Sequence, residues 1–137
     1  MLRILLKRFI ILCTRIAREK FSVSPEREKA FDMVRQFYVL VDNHFKEKKM
    51  VQDYANMLHR SPKTLSNLFT TCGLPSPLRI IHERIEAEAK RFLLYSQKSA
   101  KEITEILGFE DQATFSRFFK KMTGESVSEY RKREKQE

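Results

Sequence analysis

The sequence predicts an all-α fold, and three observations support it. Glycine and proline number only three and four in 137 residues, so little interrupts long helices. Apolar residues recur at three- and four-residue intervals instead of alternating. Serines that can cap a helix stand just ahead of these runs, three times as Ser-Pro.

The elements follow in order. Leu2, Leu5, Phe9, Leu12 and Ile16 keep an a/d spacing, which predicts a helix over 2–20. "FSVSPE" breaks it, with Ser24 as N-cap and Pro25 as first helical residue. Phe31, Val34, Tyr38, Val41 and Phe45 make the next stripe, over 25–47, ending in the polar "KEKK". A short helix over 51–58 comes next. Ser61-Pro62 and Ser76-Pro77 then open helices over 62–72 and 77–95. Ser99 to Glu102 and Ser126 to Glu129 fit the S-x-x-E capping box and start helices over 100–107 and 127–133. Asp111 caps a helix over 112–123. Gly73, Gly108 and Gly124 stand where helices should stop.

Twenty-seven basic against 18 acidic residues leave a net charge of +9, which favours an acidic polymer as partner, nucleic acid before anionic membrane. With 42% hydrophobic residues the chain is too apolar to be disordered. Cys13 and Cys72 form no CxxC and are expected as free, buried thiols in a reducing cytosol. Lys7, Arg8 and Arg15 interrupt the N-terminal apolar run, so it does not read as a membrane span. His44, His59 and His82 are scattered, and no metal site or cofactor is expected. Glu83, Glu86 and Glu88 share a helix with Arg84, Lys90 and Arg91 and are expected as solvated ion pairs. No catalytic residue is assigned, and the chain does not read as an enzyme.

Within this pattern lies a repeat. Ser61, Leu65, Leu68, Phe69 and Cys72 sit at offsets 0, 4, 7, 8 and 11; Asp111, Phe115, Phe118, Phe119 and Met122 repeat them 50 residues later. Each set is one apolar helical face, and both predict burial of the phenylalanines, Phe118 included. At about 100° per residue the opposite faces hold Lys63, Ser66, Asn67 and Thr70, then Ala113, Ser116, Arg117 and Lys120. A short helix precedes each, which is the helix-turn-helix arrangement. Ala55 and Thr104 supply small side chains where the paired helices pack closest. Gly108 permits a left-handed turn in the second unit, while His59 holds that place in the first. Apolar stripes alone would also fit a plain helical bundle, or a protein-interaction module with only non-specific DNA affinity.

The stretch from Ile81 to Lys132 resembles the C-terminal DNA-binding domain of AraC/XylS-family transcription regulators. Its landmarks are Ala89-Lys90-Arg91 with Leu93, Ile103, Leu107-Gly108-Phe109, Phe115-Ser116-Arg117 with Phe119-Lys120-Lys121, Gly124 and Tyr130-Arg131. "DYANMLHRSPKTLSNLF" is similar to the family's first helix-turn-helix. Three positions depart from the pattern: Thr104 stands for the usual Ala, Val127 for Pro, and Thr70 for a basic residue.

The resemblance implies two helix-turn-helix units, about 51–72 and 100–123, joined by a connecting helix over 77–95, all within a DNA-binding domain over 25–137. It implies a cytoplasmic bacterial transcription regulator, activator or repressor, that binds double-stranded promoter DNA and contacts RNA polymerase. It also implies that residues 1–24 end a sensing or dimerisation domain. The apolar seam of residues 1–20, widened by Ile4, Leu6, Ile10 and Ile11, is expected to pair two copies into a homodimer.

A 19-residue connecting helix is about 28 Å long, close to the ~34 Å between successive major-groove faces on one side of B-DNA. Lys63, Ser66, Asn67, Gln112, Ala113, Ser116 and Arg117 are the expected base readers. Among them Arg117 suits guanine, and Asn67 or Gln112 suits adenine. Ser61, Thr64, Thr114, Lys120 and Lys121 are expected on phosphate.

Overall fold

The computed structural model describes Lys7, Ile10 and residues 24–136. Among them the chain forms helices and no strand: α1 (Pro25–His44), α2 (Val51–Met57), α3 (Pro62–Thr71), α4 (Pro77–Tyr95), α5 (Ala100–Ile106), α6 (Gln112–Thr123) and α7 (Val127–Lys135). The expected helix over 2–20 and the self-association assigned to it lie outside the described residues, apart from Lys7 and Ile10.

The helix starts are local chemistry. Ser61 Oγ accepts from the Thr64 amide at 3.1 Å and Ser76 Oγ from Arg79 at 3.3 Å. Asp111 Oδ1 accepts from the Thr114 amide at 2.7 Å. Ser126 and Glu129 close the full box, with bonds of 3.1 and 3.3 Å. At Ser99 the hydroxyl accepts from the Glu102 amide and lies 3.2 Å from the Glu102 carboxylate, so the returning arm meets the side chain and not the backbone. α2 has no such serine; Asp53 instead reaches back to the Met50 amide at 3.3 Å.

The chain divides into two compact units. In the first, α1, α2 and α3 pack on one another around an aromatic cluster. Phe37 meets Phe69 edge-on at 4.9 Å and Tyr54 at 5.5 Å, all three fully buried. Such pairs add roughly 0.5–1.5 kcal/mol each beyond area burial. The Tyr54 hydroxyl escapes an unsatisfied burial by donating to the Lys48 carbonyl at 2.6 Å.

In the second unit α5, α6 and α7 pack in sequence, and Ile85, Ala89 and Leu93 of α4 join the core with Ile103, Leu107, Phe115 and Phe119. Phe45 belongs to this unit, and α1 ends just before it at His44, short of the expected 47. The Arg84 guanidinium lies 4.2 Å from the Phe45 ring centroid. Arg131 closes the end of α4, donating to the carbonyls of Leu93 at 3.3 Å and Lys98 at 2.5 Å.

Two expectations about burial need correction. Glu88 is buried, not solvated: Arg84 Nη1 donates to Oε2 at 3.0 Å, and Arg91 Nε to Oε1 at 3.0 Å. Burial pushes its carboxyl upward, but the bonds from Arg91 and Arg84 outweigh that and hold it below the usual carboxylate range. Cys72 is only half-buried. Thr104, by contrast, is enclosed as a close-packing residue should be, and its hydroxyl donates to the Ala100 carbonyl at 2.7 Å.

Candidate nucleic-acid interface

Each unit builds its exposed helix the same way. α2 ends with Arg60 N donating to the Ala55 carbonyl at 2.9 Å and His59 N to Asn56 at 3.2 Å. α5 repeats this with Phe109 to Thr104 at 3.1 Å and Gly108 to Glu105 at 3.2 Å. These are paired Schellman bonds, and they require a left-handed residue between helix and turn. Gly108 takes it at φ 76°, and His59 takes it at φ 54°. A histidine there carries a backbone cost of about 1–2 kcal/mol that glycine escapes. The place that lacks glycine therefore makes the same turn under strain.

Beyond the turn come α3 and α6. On α3, Leu65 and Phe69 are fully buried, while Lys63, Thr64, Ser66, Asn67 and Thr70 are exposed. On α6, Phe115 and Phe119 are fully buried, while Gln112, Ala113, Arg117, Lys120 and Lys121 are exposed, with Thr114 and Ser116 half-buried. The offsets that point into both cores are 4 and 8. Those at 7 and 11, Leu68 and Cys72 or Phe118 and Met122, form only the half-buried margin. Phe118 thus departs from the expected full burial. Its ring lies 5.3 Å from Phe109 and meets His82 edge-on at 5.3 Å, leaving one flank open. Partial burial, helped by nearby Lys121, holds the His82 imidazole below its ordinary value.

The first turns differ in their polar chemistry. At the start of α3 the Ser61 and Thr64 hydroxyls bridge at 2.8 Å, and the pair is neutral. At the start of α6, Asp111 Oδ1 accepts both the Thr114 amide and the Thr114 hydroxyl, the latter at 2.8 Å. Arg117 Nη2 donates to that same hydroxyl oxygen at 3.4 Å. The amide and hydroxyl bonds from Thr114, followed by the charge of Arg117, hold the Asp111 carboxyl below its ordinary value. Sequence reasoning missed this link, although D-x-x-T-x-x-R places the three residues on one helical face. Lys120 and Lys121 occupy the last turn of α6, where positive charge suits the helix dipole.

A family description, "helix-turn-helix domain", matches residues 54–133, more than half of the chain. The chain is 35% identical over 92 residues to the arabinose operon regulatory protein of Salmonella typhimurium, covering 67% of this chain and 31% of that protein. The C-terminal domain of AraT, a response regulator from Geobacillus stearothermophilus, shares 28% identity at a TM-score of 0.66, covering 73% of this chain and 84% of that one. The chain belongs to the AraC/XylS family. It is also 34% identical over 82 residues to RafR, the raffinose operon transcriptional regulatory protein of Pediococcus pentosaceus, covering 60% of this chain and 30% of that one. The chain spans less than half the length of these curated relatives.

The family's two helix-turn-helix units correspond here to α2–α3 and α5–α6. Two of the departures from its pattern now have physical accounts. Thr104 satisfies its own hydroxyl within α5, and Val127 is buried in the first turn of α7. Among the described residues no three His, Cys, Asp or Glu side chains gather, and no helix is long and apolar enough to cross a membrane.

Proposed function

We propose that this chain binds promoter DNA sequence-specifically, placing α3 and α6 in separate major-groove segments, and regulates transcription by doing so. One observation carries the reading: each unit encloses one side of a helix in its own core and exposes donors and acceptors suited to base edges on the other. Lys63, Ser66 and Asn67 read one segment; Gln112, Ala113, Ser116 and Arg117 read the other. Ser61, Thr64, Lys120 and Lys121 grip phosphate and set register. Because α3 and α6 differ at reading offsets 2 and 6, Lys63 and Asn67 against Ala113 and Arg117, one chain recognises an asymmetric site. The chain works by binding and not by catalysis, in the bacterial cytoplasm, with RNA polymerase as its further partner. Residues 1–20 pair two copies.

Selection from a random duplex library, followed by titration at fixed salt, tests the reading. The expected result is one asymmetric consensus bound at least about 10³-fold tighter than scrambled DNA. Equal affinity for all sequences would overturn it in favour of a protein-interaction module. For the dimer, sedimentation of the chain with and without residues 1–20 should give different masses; equal monomer masses would refute it.

A further inference from the structure

The repeat places three residues at offsets 0, 3 and 6 of each exposed helix. They are Ser61, Thr64 and Asn67 in α3, and Asp111, Thr114 and Arg117 in α6. The proton inventories of the two sets differ. Ser61 and Thr64 hold two hydroxyl protons and use one in their mutual 2.8 Å bridge, leaving one for a phosphate oxygen. The Asp111 carboxylate brings no proton. Thr114 commits its hydroxyl proton at 2.8 Å and its amide proton at 2.7 Å to the same Asp111 oxygen. Neither proton remains for phosphate, and a carboxylate at that place repels one. The expectation that Thr114 grips phosphate therefore has no donor behind it.

What the Thr114 oxygen keeps is a lone pair, and Arg117 Nη2 points a proton at it from 3.4 Å. The remaining guanidinium N–H groups stay available on an exposed side chain. We infer that Asp111 and Thr114 are positioning residues, which hold the Arg117 guanidinium along the outer face of α6 so that its free donors meet a guanine already oriented. The acidic cap occurs in the unit whose sixth offset is arginine, and the neutral cap in the unit whose sixth offset is asparagine. Electrostatics gives the pairing a reason: Asp111 attracts the guanidinium through Thr114, whereas a neutral asparagine has no need of such a counter-charge.

This inference rests on the proposed role of α6 in reading DNA, and its test separates the two. Using the full chain and its selected site, Thr114→Val removes the hydroxyl but preserves shape and the amide bond to Asp111. It should weaken binding to the selected site by about three- to tenfold, the scale of one freed long side chain. Preference at the base pair that Arg117 contacts should fall, while affinity for random DNA stays unchanged. Thr114→Ser should restore both. Asp111→Ser, which installs the cap chemistry of α3, should reproduce the loss without preventing folding, as circular dichroism would show. Equal weakening of selected and random DNA by Thr114→Val would make Thr114 a phosphate contact and overturn the inference. Unchanged preference in Thr114→Val, alongside relaxed preference in Arg117→Ala, would overturn the positioning role alone. Unchanged preference in Arg117→Ala would overturn the reading role of Arg117, and with it the reason to aim it.

Discussion

The two helix-turn-helix units use the same backbone device to present different chemistry. Both close a short helix with Schellman bonds and bury offsets 4 and 8 of the next. α3 carries one cation, Lys63, a neutral cap and Asn67; α6 carries Arg117, Lys120 and Lys121 behind an acidic cap. The scaffold is thus separable from the reading surface. Offsets 4 and 8 are large and apolar in both units, whereas offsets 0, 2 and 6 change in charge or polarity and assign each unit its partner chemistry. The first unit is suited to neutral hydrogen bonding, the second to charged contacts whose strength falls with salt.

The largest expected effects test whether the two cores are equivalent. Phe69→Ala and Phe119→Ala should each cost about 3–5 kcal/mol in urea unfolding, because both side chains are fully enclosed. Phe118→Ala should cost clearly less, since that ring is half-exposed. An equal cost at Phe118 and Phe119 would break the assignment of offset 7 to the margin.

Next comes a feature confined to the second unit. The depressed Glu88 carboxyl contributes stability above the ordinary glutamate value of about 4.3. That contribution is lost as pH falls through the lowered folded value. Unfolding followed from pH 6 down to pH 3 should show a steeper acid loss in wild type than in Glu88→Gln. Parallel curves would mean that the Arg84–Glu88–Arg91 cluster is not a stabilising ion network.

On DNA, Arg117→Ala should weaken the selected site by about 1–3 kcal/mol and relax one base pair. Lys121→Ala should lower affinity for all sequences and flatten the salt dependence. Proportional losses on selected and random DNA from both substitutions would erase the division between readers and anchors.

The smallest effects concern the turns. Gly108→Ala should destabilise by about 1–2 kcal/mol, because it forces a Cβ into the left-handed region. His59→Gly should move the other way, by about 0.5 kcal/mol, since relief of strain is partly offset by the entropy of glycine. Destabilisation by His59→Gly would show that the imidazole contributes contacts that outweigh its backbone cost.

Among the described residues the helices, their order and the capped starts were legible in the sequence because they depend on neighbours three or four residues away. Ser61, Asp111 and Ser126 cap by bonds to the third residue on, and a helical stripe is a property of spacing alone. For the same reason the exposed faces of α3 and α6 follow from residue spacing. Even the strained turn was marked, by a histidine standing where its twin has glycine. Tertiary packing decided what lies at the margins of those stripes. Whether offset 7 is enclosed depends on how far a neighbouring helix overlaps it, so Phe118 and Leu68 stay half-open while Phe119 and Phe69 do not. Glu88 is buried beside Arg84, whose guanidinium also lies on the Phe45 ring, 39 residues away in sequence. The Thr114 hydroxyl, expected on phosphate from the sequence, is bonded instead to Asp111. Periodicity determines which side of a helix faces inward; only the packed neighbours determine how wide that side is and which polar groups it admits.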